Sequence, residues 1–281
     1  MQLQFVSLRA ITFGSLLILS GGSSSLMAAE AVPFAPHRAV YDMNLADSEK
    51  NNAIEALTGR LVYEETGNSC DGYSLKARQV ISFETAAGAS TLDSVSNNYE
   101  SGDGKHIRFR IESRVNGRTT ENTDGEGIVG DDGDFQVRLK NPLLKHLSWK
   151  GQVLLPSTHT QKILDAARAG QNTLSARVYD GGNSGETVYE TLTIIGSRIA
   201  PGTGSNLEEA AQNPVLQGLS RWPVKITYFK AGDLETTPDY SVSSELYENG
   251  INRAVKLDFS DFSIRADLKT LELLPKGDCQ R

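Results

Sequence analysis

Cys70 and Cys279 are the two cysteines of this 281-residue sequence, and their thiols could do three kinds of chemistry. They could form a disulfide, share a metal ion or act as a redox pair. Metal and redox sites usually have closer cysteines or extra ligands, whereas these two are far apart in the sequence. The even count favours one disulfide, for which the chain-entropy model gives an upper value of about 5 kcal/mol. The other two alternatives stay open.

The other candidate metal ligands do not form a recognisable motif. The four histidines, His37, His106, His146 and His159, lack the short spacing of common zinc sites, although they could still converge in space. The acidic segment 124–135, DGEGIVGDDGDF, interleaves carboxylates with glycines but lacks the register of an EF-hand loop. The sequence therefore predicts a solvated hairpin there, with calcium as the alternative, and we expect no metal and no cofactor.

Catalytic residues are equally hard to assign. The segment 182–185, GNSG, resembles the nucleophile loop of chymotrypsin-like proteases, but Glu186 stands where those enzymes have glycine. A hairpin turn is the better interpretation, and we predict that the protein is not an enzyme. His37 and Arg38 lead a predicted strand and are possible contacts for a ligand or a protein partner. The simpler interpretation is that they begin a strand beside the C-terminal region.

The first 31 residues have the layout of a secretory signal peptide. A short polar start with one arginine precedes an apolar run of about 11 residues, too short to span a bilayer, and a tract of small residues follows it. The sequence predicts removal of residues 1–31 and a mature chain from Val32, with Glu30 as the alternative first residue. Residues 32–281 are predicted to form a single domain.

Charge and hydropathy limit the partners of the predicted mature chain. A net charge of −7 and an isoelectric point near 5.2 are expected to repel nucleic acid and anionic membrane surfaces. No second apolar run is long enough to span a bilayer. A membrane barrel needs strands of about 9 to 11 residues with an apolar outward face and aromatic girdles, whereas the predicted strand 107–112 is short and places Arg108 and Arg110 on its second face. We therefore do not expect an integral membrane protein.

Alternation of apolar and polar residues is the dominant pattern in the chain, and it predicts half-buried strands. The predicted strands are 39–45, 61–65, 73–80, 107–112, 174–179, 188–195, 224–229, 240–247, 255–259 and 262–269. Asn116-Gly117 and Asn249-Gly250 are dipeptides typical of tight hairpins. Hairpins in succession favour an antiparallel sheet, because parallel strands would need helices between them.

Helix signals are few. After Pro156, Ser157 or Thr158 could cap a helix that Gly170 would end, with a narrow apolar stripe suited to lie across a sheet. A second short helix is predicted at 206–212, where Pro214 would stop it.

Several segments together resemble one family. They are APHRAVYD at 35–42, the cysteine of NSCDGY, WPVKITYF at 222–229, the stretch ELYENGINRAVKLDFSDFSIRADL and the final cysteine. Across nearly the whole predicted mature chain, the sequence is similar to the envelope-integrity protein B (EipB) family of Gram-negative periplasms. The resemblance implies a mainly β fold, namely a β-spiral, in which one α-helix crosses a strongly curved, many-stranded antiparallel sheet similar in shape to the Lol lipoprotein carriers. It also implies a periplasmic location, the Cys70–Cys279 disulfide and a role in envelope integrity, with no binding residues to carry over.

The function expected from these features is non-enzymatic binding of an envelope component within the concave face of the sheet. The component could be a lipid, a lipoprotein or an exported protein, because a concave apolar surface is the usual form of a ligand site. A periplasmic scaffold that acts through protein–protein contacts is the main alternative. An unrecognised envelope hydrolase is a weaker one.

Overall fold

A computed structural model of the chain describes residues 32–48, 54–204, 207–232, 237–277 and 279. The predicted signal peptide, 1–31, lies outside the described residues, as does the start of the second predicted helix at 206. No helix in the described part of the chain is long and apolar enough to cross a membrane.

In the described part of the chain, fourteen strands form one antiparallel sheet. They are β1 (His37–Ser48), β2 (Ala56–Asn68), β3 (Gly72–Thr85), β4 (Gly88–Glu100), β5 (His106–Val115), β6 (Arg118–Val129), β7 (Phe135–Asn141), β8 (Lys145–Trp149), β9 (Thr173–Val178), β10 (Tyr189–Ile195), β11 (Arg221–Lys230), β12 (Tyr240–Tyr247), β13 (Asn252–Asp258) and β14 (Phe262–Leu273). The predicted mainly β, antiparallel fold is confirmed.

The strand order shows how the sheet is built. It runs β8-β7-β6-β5-β4-β3-β2-β1-β14-β13-β12-β11-β10-β9, so that sequence neighbours pair except where β1 meets β14 and where the chain passes from β8 to β9. β8 and β9 are therefore the two edges, and the sheet is open. The connection between them carries the main helix, α1 (Pro156–Arg168), which packs against β9 and β10.

Local sequence explains the strands and their turns. β10 alternates between buried residues such as Thr193 and exposed ones such as Ile194, as a strand with one buried face must. At the β5–β6 turn, Asn116 and Gly117 have φ angles of 51° and 77°, the left-handed conformation that the Asn-Gly dipeptide predicts. The segment 182–185 lies in the connection between the paired strands β9 and β10 and contains a 3₁₀ turn at Asn183–Gly185, so the hairpin interpretation is confirmed.

Helix α1 differs from the prediction at its start. The helix begins at Pro156, and the preceding residue Leu155 makes no side-chain cap. The prediction that Ser157 or Thr158 caps the helix was therefore wrong. The Ser157 backbone N–H and hydroxyl instead donate to the carboxylate of Glu100 on β4, so this strand supplies the acceptor.

The second predicted helix also needs a correction. The structure has a 3₁₀ helix at Glu209–Gln212, followed by the four-residue helix α2 (Pro214–Gln217). Pro214 therefore begins a helix instead of stopping one, because proline at the first helical position loses no backbone hydrogen bond. The Asn213 side chain caps α2 by accepting from the Val215 backbone N–H at 3.1 Å.

The buried residues form three clusters that hold the sheet in a curled shape. One joins β1, β2, β3 and β14 to the two short helices at 209–217. A second packs α1 against β10–β12, and a third joins β5, β7 and β8 to the start of the β9–β10 connection. In the third cluster Tyr179, which follows β9, contacts Phe109 of β5 and Phe135 of β7 with ring centroids 5.6 and 4.9 Å apart. β5 and β7 are ten and twelve positions from β9 in the sheet order, so the sheet must curl to bring them together.

Candidate functional site

The register of the strands defines an inner face, the face that carries the buried residues Ala39, Tyr41 and Met43 of β1. Many other side chains on this face are half-buried rather than fully packed. They are Leu61, Tyr63, Glu65, Leu75, Gln79, Phe83, Leu92, Ser94, Ser96, Asn98, Ile111, Ile226, Tyr228, Tyr240, Val242, Val255, Leu257 and Phe262. The inner face is therefore a mainly apolar surface that water still reaches.

Contacts across the curl show that this face is concave. The Asn98 side-chain amide on β4 donates to the Asp180 backbone carbonyl at 3.3 Å. On β6, Glu121 accepts a hydrogen bond from the Ser184 backbone N–H at 3.1 Å. Because Asp180 and Ser184 belong to the β9–β10 connection, the two wings of the sheet face each other across the interior.

Three carboxyl groups, those of Glu65, Glu100 and Asp180, lie on this concave side. Burial raises the pKa of Glu65 to about 7, opposed by a hydrogen bond of 3.1 Å from the Tyr63 hydroxyl and reinforced by the charge of Glu100. Burial also raises the pKa of Glu100, opposed by the hydrogen bonds from Ser157. The pKa of Asp180 rises for the same reason, although the Gly182 N–H stabilises its charged form. The interior thus favours neutral carboxyl groups.

A change of Glu65 to glutamine tests this environment. Below pH 4.5 the carboxyl is protonated in both the folded and the unfolded chain, whereas between 4.5 and about 7 only the folded chain keeps the proton. The wild-type free energy of unfolding should therefore fall as pH rises through this window, and Glu65→Gln should not show that fall. We expect the variant to gain up to about 3 kcal/mol over wild type between pH 4.5 and 8, measured by urea unfolding.

Glu64→Gln is the matched control for that experiment. Glu64 points to the opposite face, where its hydrogen bond and ion pair with Arg38 lower the pKa of its carboxyl. The free energy of unfolding of Glu64→Gln should therefore fall relative to wild type as pH rises. That change is opposite in sign to the change expected for Glu65→Gln. A Glu65→Gln difference that is the same at pH 4.5 and pH 8 would contradict the raised pKa.

An aromatic group lines another part of the concave side. The rings of Tyr228 and Tyr240 stack with centroids 4.5 Å apart, and Tyr189 meets both rings edge-on. Phe259 and Phe262 continue the group, with centroids 4.9 Å apart. Burial and the nearby charge of Asp180 raise the pKa values of Tyr228 and Tyr240, so both hydroxyls stay protonated. Neutral aromatic and aliphatic side chains of this kind can contact an apolar ligand.

The structure separates the residues that the sequence singled out. Cys70 and Cys279 are bonded, with Cα atoms 5.7 Å apart. His37 is buried, its Nδ1 lies 2.7 Å from the Ala35 carbonyl oxygen, and burial lowers its pKa. Arg38 lies on the opposite face, where it pairs with Glu64 at 2.6 Å and with Glu272 at 3.1 Å. A ligand contact at His37 or Arg38 stays a prediction.

The candidate metal ligands are also dispersed. His106 begins β5, His146 lies on β8 and His159 is buried in α1. No group of three or more histidine, cysteine, aspartate or glutamate side chains able to hold a metal ion occurs within the described ranges. The acidic segment 124–135 spans the end of β6, a turn and the first residue of β7, so the hairpin prediction is confirmed.

Sequence reasoning missed the interior carboxyl groups and the tyrosine group. One signal could have revealed Glu65, because it stands where the alternation of Leu61 and Tyr63 calls for another apolar residue. Nothing comparable marks Asp180, which lies outside a strand.

Similarity to known proteins identifies the family of this chain. The EipB-like family matches residues 28–275, most of the chain. The chain belongs to the EipB-like family. One relative, named cell envelope integrity protein EipB, from Brucella abortus (strain 2308), is 29% identical over 281 residues, which cover 98% of this chain and 97% of the relative.

A solved structure has the same fold. The crystal structure of a beta-barrel-like protein with a domain of unknown function, from Brucella abortus, superposes with a TM-score of 0.80 at 29% sequence identity. The match covers 87% of this chain and 100% of the solved chain. The family resemblance predicted from the sequence is thereby confirmed.

Proposed function

We propose that this protein is exported to the periplasm and helps to maintain the cell envelope, without enzymatic activity, by binding an apolar envelope component on its inner face. The component is a lipid, a lipoprotein or an exported protein. The name of the Brucella relative supports the envelope role, and the signal-peptide pattern of residues 1–31 supports export. The mature protein on this proposal is the single domain 32–281.

One observation carries the binding proposal, namely the half-buried apolar lining of the concave face. A sheet packed only for stability would bury such residues completely, as it does for Ala39, Ile107 and Leu268. Leu61, Leu92 and the other residues that define the inner face instead remain partly accessible. A concave apolar surface with a few polar groups is the usual form of a ligand site, and the carboxyls and tyrosine hydroxyls supply those polar groups here.

A charge placed on the inner face should weaken this binding. Leu92 lies on β4, paired with Ile81 and Val115, and is half-buried on the inner face. In Leu92→Glu the carboxylate would face the apolar chain of a ligand and would have to lose its water shell on binding. We expect the bound component to fall at least about tenfold in occupancy, a loss that corresponds to about 1.4 kcal/mol.

Native mass spectrometry with lipid extraction, on mature protein purified from its own periplasm without reductant, measures that occupancy. Val95→Glu is the matched control, because Val95 lies on the same strand but on the outer face and is already 36% exposed. The control should carry the same bound component as wild type. A wild-type protein that is entirely free of bound lipid, peptide or protein would refute the proposal, as would equal occupancy in both variants.

A further inference from the structure

The turn between β7 and β8 exposes two neighbouring leucines. Leu143 is 76% exposed and Leu144 is 66% exposed, more than any other large apolar residue in the described part of the chain. They follow Pro142 at the tip of the hairpin. Turns usually carry small or polar residues, and two adjacent exposed leucines bring no packing benefit to the fold itself.

A basic groove lies on the outer face beside this turn. Lys76 of β3, Arg108 and Arg110 of β5 and Lys140 of β7 line it, and Asp124 is the one carboxylate among its described lining residues. Lys76 lies 3.6 Å from Glu64, and Lys140 lies 3.9 Å from Glu126, separations at which an exposed ion pair is weak. Within the ranges that the structure describes, neither arginine forms an ion pair. The groove therefore carries excess positive charge.

Strand register joins the groove to the leucine turn. Asn141, the last residue of β7, pairs with Asp124 of β6, which in turn pairs with Arg110 of β5. Lys140 directly precedes Asn141, so it connects the basic groove to the turn that begins at Pro142. The apolar tip therefore follows directly along the chain from the β7 end of the basic groove. We define the docking surface by Leu143, Leu144, Lys76, Arg108, Arg110 and Lys140.

The net charge of −7 does not describe this surface. At physiological ionic strength, charges are screened over about 8 Å, so a docked surface responds mainly to the charges close to it. The four basic side chains outnumber the three nearby carboxylates, Asp124, Glu64 and Glu126. Glu64 is also paired with Arg38 and Glu126 with Arg138, so the local charge is positive. Repulsion from anionic membranes, expected from the whole-chain charge, therefore does not apply to this side of the molecule.

We propose that this docking surface binds reversibly to a bilayer that contains anionic phospholipids. Leu143 and Leu144 enter the boundary between headgroups and acyl chains, and the four basic side chains contact lipid phosphates. Exposed leucines flanked by lysine and arginine are the combination that peripheral membrane proteins use, because apolar burial and electrostatic attraction add. The inference concerns the outer face and does not depend on ligand binding to the inner face.

Vesicle co-sedimentation tests the proposal with mature protein. Vesicles of phosphatidylethanolamine and phosphatidylglycerol should sediment the wild type, whereas vesicles of phosphatidylcholine alone should not. The Leu143→Ser/Leu144→Ser double variant should lose at least about tenfold in affinity, because two apolar side chains no longer enter the boundary. Lys140→Gln and Arg110→Gln should each lose about fivefold and should weaken the salt dependence of binding.

Leu192→Ser/Ile194→Ser is the matched control, because Leu192 and Ile194 are also exposed apolar residues, 39% and 51%, but lie on β10. This control should bind vesicles as the wild type does. The inner-face variant Leu92→Glu should also bind vesicles normally, which would show that vesicle binding does not depend on the inner face. Far-UV circular dichroism verifies that each variant is folded. Wild-type protein that stays in the supernatant with anionic vesicles would overturn the proposal. An equal loss of vesicle affinity in the β10 control would also overturn it. The docking surface would then serve a protein partner.

Discussion

Replacement of both Cys70 and Cys279 by serine is expected to lower the free energy of unfolding by up to about 5 kcal/mol. The bond joins residues 209 positions apart, so its loss frees almost the whole domain in the unfolded state. It also releases the C-terminal tail, whose backbone is tied to the start of β1 by the Leu274 N–H donating to the Pro36 carbonyl at 2.8 Å. Near the bond, the Asn68 side-chain amide donates to the Gly277 carbonyl at 3.3 Å.

Urea unfolding of oxidised wild type, reduced wild type and the double serine variant measures this effect. Both cysteines are exposed, so a mild reductant should reach the bond in the folded protein. Reduced wild type and the double serine variant should then unfold at the same urea concentration, below that of oxidised protein. Thiol titration of the unfolded, unreduced chain provides the control. Identical midpoints for the oxidised and reduced proteins would show that the bond contributes nothing to stability.

Alternating patterns made most of the sheet predictable. The predicted strand 262–269 falls within β14, where Ile264, Ala266 and Leu268 are buried while Arg265 and Lys269 are exposed. Such a strand has one apolar face, so local sequence is enough to identify it. The succession of hairpin turns then predicts antiparallel pairing between neighbours in the sequence.

Four strands, β4, β6, β7 and β8, were not identified individually. β4 places Ser94, Ser96 and Asn98 on the inner face, so its pattern lacks the expected apolar residues. Its stability depends on partners that only the fold supplies, such as the hydrogen bond of 2.9 Å between the Ser94 and Ser113 hydroxyls. In β6, glycines occupy inner positions where the rings of Phe109 and Phe135 leave no room for a side chain. A single sequence does not reveal such long-range reasons.

The candidate site was less predictable than the sheet. Glu65, Glu100 and Asp180 come from β2, β4 and the β9–β10 connection, which approach each other because the sheet curls. Hydrophobic periodicity identifies the face of a strand but contains no information about the curvature of the whole sheet. The same limit explains the incorrect helix cap, because the acceptor for Ser157 is Glu100, 57 positions earlier in the chain.

The curl itself should depend strongly on Tyr179. This residue is fully buried, and its ring contacts Phe109, Phe135 and Trp149, while its hydroxyl donates to the Gly185 carbonyl at 2.9 Å. Tyr179→Ala should lower the free energy of unfolding by about 4 kcal/mol, because it removes a large buried ring and leaves a cavity. Tyr179→Phe keeps the ring and should lose about 1 to 3 kcal/mol, since the buried Gly185 carbonyl loses its donor.

Urea unfolding of the two variants separates ring packing from the hydrogen bond, with Tyr99→Ala as the control. Tyr99 also donates to a backbone carbonyl, that of Asp71, but it is 37% exposed on the outer face and should lose less than about 1 kcal/mol. Hydrogen exchange on Tyr179→Ala should show faster exchange in β5–β8 than in β1 and β14, because the wing held by Tyr179 would open first. Uniform exchange across the sheet would mean that the curl is maintained elsewhere, and the concave face would then not depend on this contact.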